Sequence, residues 1–241
     1  MDAAELAGTV PRLEGAHPGE VIRWALGRFA PARVAVVTSL QADGIAVVDM
    51  ALRIDPEVRI VTIDTGRLPE ETYAVMDAFR ERFAIRLRVQ APDPEEVAEM
   101  VGAHGPNLFY RSVEHRQTCC DVRKSRPLAR ALAGFDAWVT GVRRQQAATR
   151  STTAVVSPDP LHGGIAKVAP LAGWTHDQVW DHIRAHRLPV HPLYGQGYAS
   201  IGCAPCTRAI QPGEDERAGR WYWESGAVKE CGLHWQVEVK P

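Results

Sequence analysis

Arg33-Val34-Ala35-Val36-Val37-Thr38-Ser39-Leu40-Gln41-Ala42-Asp43-Gly44 starts as a short β-branched run, crosses small polar residues and enters an apolar stretch over 45–52. The run reads as a buried strand and the apolar stretch as a helix. A strand, a small polar loop and a helix in that order aim backbone N–H groups and a helix N-terminus at an anion. The same residues also make an ordinary strand-to-helix turn hinged at Gly44, and one glycine does not decide between the two.

Working outward, Val21, Ile22, Ala25, Leu26 and Phe29 recur at helical spacing after Pro18, and Pro31 stops that helix. Residues 1–17 are polar and broken by Gly8, Pro11 and Gly15, which predicts a loose lead-in. Downstream, 58–63 repeats the strand signal and ends in Asp64-Thr65-Gly66-Arg67. A helix over 69–83, a strand over 86–89 and a helix opened by Pro94-Glu95-Glu96 follow. A helix over 124–132, a strand over 137–140 and an amphipathic helix over 174–183, N-capped by Thr175, come next. This alternation predicts an α/β domain over 18–212, a parallel sheet with helices on both faces. Ligands of such sheets gather beyond the carboxyl ends of strands, where Ser39, Asp64, Thr65, Gly66 and Arg67 lie. Their hydroxyls and Asp64 suit a ribose and Arg67 a charged group, although turns and caps favour the same residue types. Arg143 and Arg144 follow another strand, and guanidinium forks match sulfate or phosphate. His176, His182 and His186 read as surface residues, since no carboxylate or thiol pattern accompanies them.

With 28 basic against 29 acidic residues, the chain carries no broad basic surface, which argues against a nucleic-acid partner. No run approaches the roughly 18 apolar residues of a membrane span, and the first residues lack a basic leader region. A cytoplasmic protein with reduced thiols is expected, and there clustered cysteines point to metal binding or catalysis rather than disulfides.

The five cysteines fall into the pair Cys119-Cys120, the pair Cys203 and Cys206, and a remaining Cys231. Four thiolates hold either zinc or an iron–sulfur cluster. Directly adjacent cysteines are awkward on one small ion, whereas a [4Fe-4S] cube offers separate iron corners, so the cluster is favoured. Cys231 is unpaired, flanked by Glu230 and Gly232, and near Lys229 and His234, either of which favours a thiolate. Residues 213–241 show no apolar periodicity and read as a mobile tail carrying this nucleophile.

Ile63-Asp64-Thr65-Gly66-Arg67-Leu68, Cys119-Cys120-Asp121-Val122-Arg123-Lys124, Gly141-Val142-Arg143-Arg144-Gln145, Cys203-Ala204-Pro205-Cys206, Gly219-Arg220-Trp221-Tyr222-Trp223-Glu224 and Glu230-Cys231-Gly232-Leu233-His234 together resemble the iron–sulfur assimilatory adenylyl-sulfate (APS) reductases. The resemblance runs from about Arg33 to His234. It implies an adenine-nucleotide alpha-hydrolase-like domain, with the loop over 38–44 as its modified pyrophosphate loop. It further implies one [4Fe-4S] cluster on Cys119, Cys120, Cys203 and Cys206, with Lys124 between cluster and substrate. Arg143, Arg217 and Arg220 would line the anionic end of a sulfonucleotide, and Cys231 would attack its sulfur. A thioredoxin or glutaredoxin is the expected reductant, since no thioredoxin-like segment lies within the 241 residues. The same chemistry on the 3′-phosphorylated nucleotide (PAPS) is the nearest alternative. A tRNA thiolase is disfavoured, because its Ser-Gly-Gly-x-Asp-Ser loop is absent; a homo-oligomer is allowed.

Overall fold

The structure, a computed structural model, describes residues 3–225 and 229–230. It divides into two compact units: one holds Met1–Thr62, Glu71–Arg88 and Gly134–Pro192, the other Ile63–Glu70, Val89–Ala133 and the chain from Leu193 onward. The continuous domain expected over 18–212 is therefore interleaved between two units.

The first unit is built on β1 (Val34–Val37), β2 (Arg59–Ile63), β4 (Ala137–Thr140), β5 (Val156–Asp159) and β6 (Ile165–Val168), and β3 (Leu87–Gln90) begins in it. The sheet order is β3-β2-β1-β4-β6-β5. β1 runs parallel to β2 and β4, and β4 parallel to β6, while β5 is antiparallel to β6. Every residue of β1 and β4 is buried, the signature of central strands covered on both faces. β5 and β6 carry no strong sequence signal. β5 contains Pro158, which an edge strand tolerates, and β6 alternates half-buried with buried residues.

Helices α2 (Pro18–Phe29) and α3 (Ala42–Ile54) pack on the sheet and on each other, and α8 (His176–His186) packs on α3. α3 is buried almost continuously from Gly44 to Ala51, so it lies in the core rather than along its edge. α4 (Glu70–Phe83) buries Val75, Met76 and Phe79. The expected lead-in is a helix instead, α1 (Ala3–Leu13), which buries Thr9 and Leu13 and joins α2 through an Arg28–Glu5 ion pair at 2.5 Å. Acidic Glu5 in its first turn and Arg12 in its last complement the helix dipole, a signal masked in sequence by Gly8 and Pro11.

The second unit carries α5 (Pro94–His104), α6 (Val113–Cys120) and α7 (Arg126–Leu132). Asp93 caps α5 by accepting from the Glu95 and Glu96 N–H groups, and Ser112 caps α6. Its core gathers Met100, Leu108, Phe109, Cys119, Val122, Cys206 and Trp221.

Candidate functional site

α6 ends on Cys119 and Cys120, and the backbone then widens into one π-helical turn over Asp121–Ser125 before α7 begins. Single π turns inside helices recur at functional sites. Pro127, in the first turn of α7, supplies no N–H, so a carbonyl of the widened turn loses a helical donor. The turn buries Val122 and Arg123 and carries Lys124. Arg123 Nη1 donates to the Thr65 carbonyl at 2.9 Å, which ties the turn to the 64–67 loop.

That loop is an Asx turn: Asp64 Oδ1 accepts from the Gly66 N–H at 2.8 Å, and Gly66 sits at φ +67°. Thr65 is buried, and its hydroxyl lies 3.2 Å from Cys203 Sγ. Arg67 donates to the Pro106 carbonyl and Asn107 Oδ1, and its guanidinium lies over the Phe109 ring. The Arg67 carbonyl accepts from the Ala204 N–H at 2.8 Å, fixing the second cysteine pair. Within that pair the Cys206 N–H and the Thr207 hydroxyl both donate to the Cys203 carbonyl.

The chain returns beside this knuckle. Trp221 N–H donates to the Cys206 carbonyl at 3.1 Å, and Thr207 bridges Arg220. Trp221 is buried at φ +42°, a strained conformation for a bulky residue that its surroundings must hold. Gly202 makes room for Arg220: a Cβ there would stand 2.2 Å from the guanidinium. Arg116 is fully buried. It forms a two-pronged pair with Glu224 at 2.8 and 3.1 Å, donates to the Glu230 carbonyl and stacks over Trp221 at 4.6 Å. Arg217 reaches the Lys229 carbonyl and Glu230. The described part of the expected mobile tail is thus tied to α6 by one buried ion pair and a hydrogen bond, whose long-range partners no local periodicity reveals.

These elements enclose a cavity of about 430 Å³, including its open mouth, lined by Cys119, Cys120, Cys203 and Cys206 together with Arg67, Arg116, Arg123, Lys124 and Arg220. Burial pushes the Cys206 thiol far above its ordinary range, Cys203 and Cys120 add to the rise, and Arg220 opposes it. Burial and then Cys203 raise Cys119 in the same way, against Arg123 and Arg67. Without a bound cation the buried thiols therefore keep their protons. Among the described residues, Asp49, His182 and His186 are a group of three donors mutually within 4.8 Å. Tetrahedral zinc, with bonds of about 2.3 Å, needs sulfurs about 3.8 Å apart. Directly adjacent Cys119 and Cys120 meet that spacing awkwardly, whereas the separate iron corners of a larger inorganic core could take one thiolate each.

Other expected site residues lie in the first unit. Thr38 Oγ1 accepts from the Leu40 N–H, and buried Leu40 takes φ +56°. Ser39 is exposed and accepts from Gln41. Gly44 lies within the first turn of α3 rather than at a hinge, and a Cβ there would lie 2.5 Å from Thr38 Oγ1, so glycine serves close approach. Arg143 is buried and engages Asp43, with Gln146 bridging Asp43 and Arg150. The guanidinium expected to meet an oxyanion is thus held by a carboxylate of its own unit. His182 is also corrected: its partner is buried Asp49 at 2.9 Å, on a helix 133 residues earlier. Cys231 and His234 lie outside the described residues. Sequence reasoning missed Arg116 and gave no role to Arg123 or Trp221, although both sit in motifs it quoted.

Residues 33–209 match the phosphoadenosine phosphosulfate reductase domain family. A protein of Allochromatium vinosum named adenosine 5′-phosphosulfate reductase is 48% identical over 83% of this chain and 78% of its own length. One of the same name from Burkholderia cepacia is 47% identical over 95% and 89%. A plant relative from Arabidopsis thaliana, named 5′-adenylylsulfate reductase 3, chloroplastic, is 42% identical over 97% of this chain and 51% of its own. Among solved structures, the phosphoadenylyl-sulfate reductase of Candida auris in its phosphate complex superposes with TM-score 0.73 at 25% identity, over 87% of this chain and 98% of that one. FMN adenylyltransferase of Candida glabrata, at 13% identity and TM-score 0.58 over 86% of this chain and 68% of that one, shares the fold alone. No helix among the described residues is long and apolar enough to cross a membrane. With a matched segment covering most of the sequence and relatives approaching half identity, the chain belongs to the phosphoadenosine phosphosulfate reductase family.

Proposed function

We propose that this chain reduces adenylyl sulfate to sulfite and AMP with electrons from a thiol. The observation that carries this reading is the cavity in which four cysteines share one wall with Lys124 and buried arginines. Cys231, as thiolate, attacks the sulfate sulfur; the bond to the bridging oxygen breaks and AMP leaves, forming S-sulfocysteine. A reduced thioredoxin or glutaredoxin then attacks Cys231 Sγ, and sulfite departs with the electron pair of the broken S–S bond. The partner's second thiol resolves the mixed disulfide, so two thiols are oxidised as S(VI) becomes S(IV). His234 and Lys229 favour the Cys231 thiolate. Cations offset repulsion between thiolate and sulfonate oxygens, and Lys124 is assigned that task. Ser39, Asp64, Thr65, Gly66, Arg67, Arg143, Arg217 and Arg220 are the proposed substrate contacts; of these, Thr65, Arg67 and Arg220 line the cysteine cavity.

One [4Fe-4S] cluster is the cofactor this donor set fits. Cys119, Cys120, Cys203 and Cys206 would hold it, and the adjacent cysteine pair and the surrounding cations support that reading over zinc. When bound, it would order the site and set its electrostatics, while the electrons come from thiols.

Cys231→Ser is expected to bind nucleotide but release no sulfite and take no sulfonate adduct on its tail peptide. Wild-type sulfite release from that variant would remove Cys231 from the mechanism. Lys124→Ala is expected to lower turnover about 10²-fold with iron content unchanged. The 3′-phosphorylated nucleotide is the second reading, favoured by the Candida auris likeness; turnover of both nucleotides, side by side, separates the two.

A further inference from the structure

Asp49 on α3 and His182 and His186 on α8 bring three donor atoms within 4.8 Å of one another. The histidines stand one helical turn apart, the spacing at which two imidazoles on one helix face reach a single ion. Asp49 is buried and accepts from the His182 Nε2 position at 2.9 Å, while the two imidazole rings lie 4.4 Å apart. A cation already sits in this nest. Arg53 Nε donates to Asp49 Oδ2 at 2.8 Å, and its Nη2 lies 3.1 Å from His186 Nδ1. The Arg53 side chain is half exposed, so it is free to swing toward water when another cation takes its place.

We propose that Asp49, His182 and His186 form a binding site for a zinc-class divalent ion, which displaces the Arg53 guanidinium and clamps α8 to α3. One carboxylate and two imidazoles are ligands zinc takes in its open three-residue sites, with water completing the tetrahedron. Binding exchanges the proton shared by His182 and Asp49 for the metal, so the ion meets a carboxylate and neutral rings. This site is separate from the cysteine quartet in residues and in ligand type, since it offers no sulfur.

The full chain, iron-loaded and treated with chelator under anaerobic conditions, is titrated with Zn²⁺ and separately with Co²⁺. One ion per chain is expected, with a Co²⁺ spectrum of nitrogen and oxygen ligation that lacks thiolate charge-transfer bands. His186→Ala should weaken binding at least about tenfold. Arg53→Ala should tighten it, because the competing cation is gone; a merely structural role for these residues predicts no such gain. Should His186→Ala fail to fold, Arg53→Ala decides alone. Undiminished affinity in a folded His186→Ala, thiolate bands with Co²⁺, or no tightening in Arg53→Ala each overturn the proposal.

Discussion

Replacing Arg116 with alanine tests whether the C-terminal segment is held by one buried cation. The Arg116 and Glu224 side chains are 1% and 4% exposed, and two hydrogen bonds join them. Removing the arginine strands the Glu224 carboxylate in the interior, leaves the Glu230 carbonyl without this donor and strips the cation from the Trp221 face. Breaking a buried pair from one side costs about 3–5 kcal/mol. The lost ring contact, worth about 2 kcal/mol when desolvated, places the total at the upper end of that range. Against a domain stability of about 5–15 kcal/mol this is a large fraction. The segment has a cheaper route than global unfolding, however, because it is free to detach and hydrate Glu224. Hydrogen exchange over 217–225 should therefore lose protection first, while urea unfolding registers the smaller of the two costs. Arg116→Met with Glu224→Gln should recover most of the loss, giving a coupling energy of about 2 kcal/mol or more in a double-mutant cycle. Unchanged protection over 217–225, with unfolding within about 0.5 kcal/mol of wild type, would refute the reasoning. Sulfite release should fall in parallel, since Glu230 immediately precedes Cys231.

Gly141→Ala should destabilise by about 1–3 kcal/mol, because its Cβ would meet the Asp43–Gly44 backbone at 2.8–3.0 Å; an unchanged calorimetric Tm would contradict that close approach. Gly8→Ala, whose Cβ meets nothing within 4 Å in α1, should instead stabilise by up to about 1 kcal/mol, and any loss would count against the helix. Cys203→Ser should lower bound iron in the purified protein, measured by iron and sulfide content; full occupancy would remove that ligand. The iron-free protein should lose stability as pH rises past about 9, the ordinary thiol value. Cys119 and Cys206 titrate above it when folded, so the unfolded chain gives up its protons first and draws the equilibrium toward itself. Below that pH the contribution is fully present, and a urea midpoint that climbs through this range would reverse the assignment.

The parallel α/β architecture was legible because β1, β2 and β4 are short apolar runs, and β1 and β2 each lead into a helix. The cysteine pairs were legible because ligand chemistry constrains spacing along the chain. What could not be read were contacts between distant positions. Arg116 meets Glu224 across 108 residues, and Asp49 meets His182 across 133. Arg143 is an instructive case: the motif was visible, but its burial against Asp43, 100 residues earlier, was not. A guanidinium looks the same in sequence whether it awaits a ligand or already holds a carboxylate. α1 was hidden for the opposite reason, since its helix signal is weak locally and its burial comes from packing on the sheet.

The charges around the cysteine cavity do not balance within the protein alone. Arg116 has Glu224, but Arg67 donates to a carbonyl and an amide oxygen, and Arg123 donates to a carbonyl. The buried Arg220 Nε finds no partner among the described residues. Neutral acceptors satisfy hydrogen-bond geometry without cancelling charge, and uncompensated buried cations are costly. Cys119 and Cys206 do not supply the missing anions, because burial raises both thiols above their ordinary range. A group that took the protons' place on Cys119 and Cys206 would put negative charge beside these cations. A bound inorganic core would therefore offset charge that the described residues leave uncompensated. On the proposed reading the positive charge around the cavity would serve a bound cluster as much as substrate, and Lys124 and Arg220, which line it, would face both.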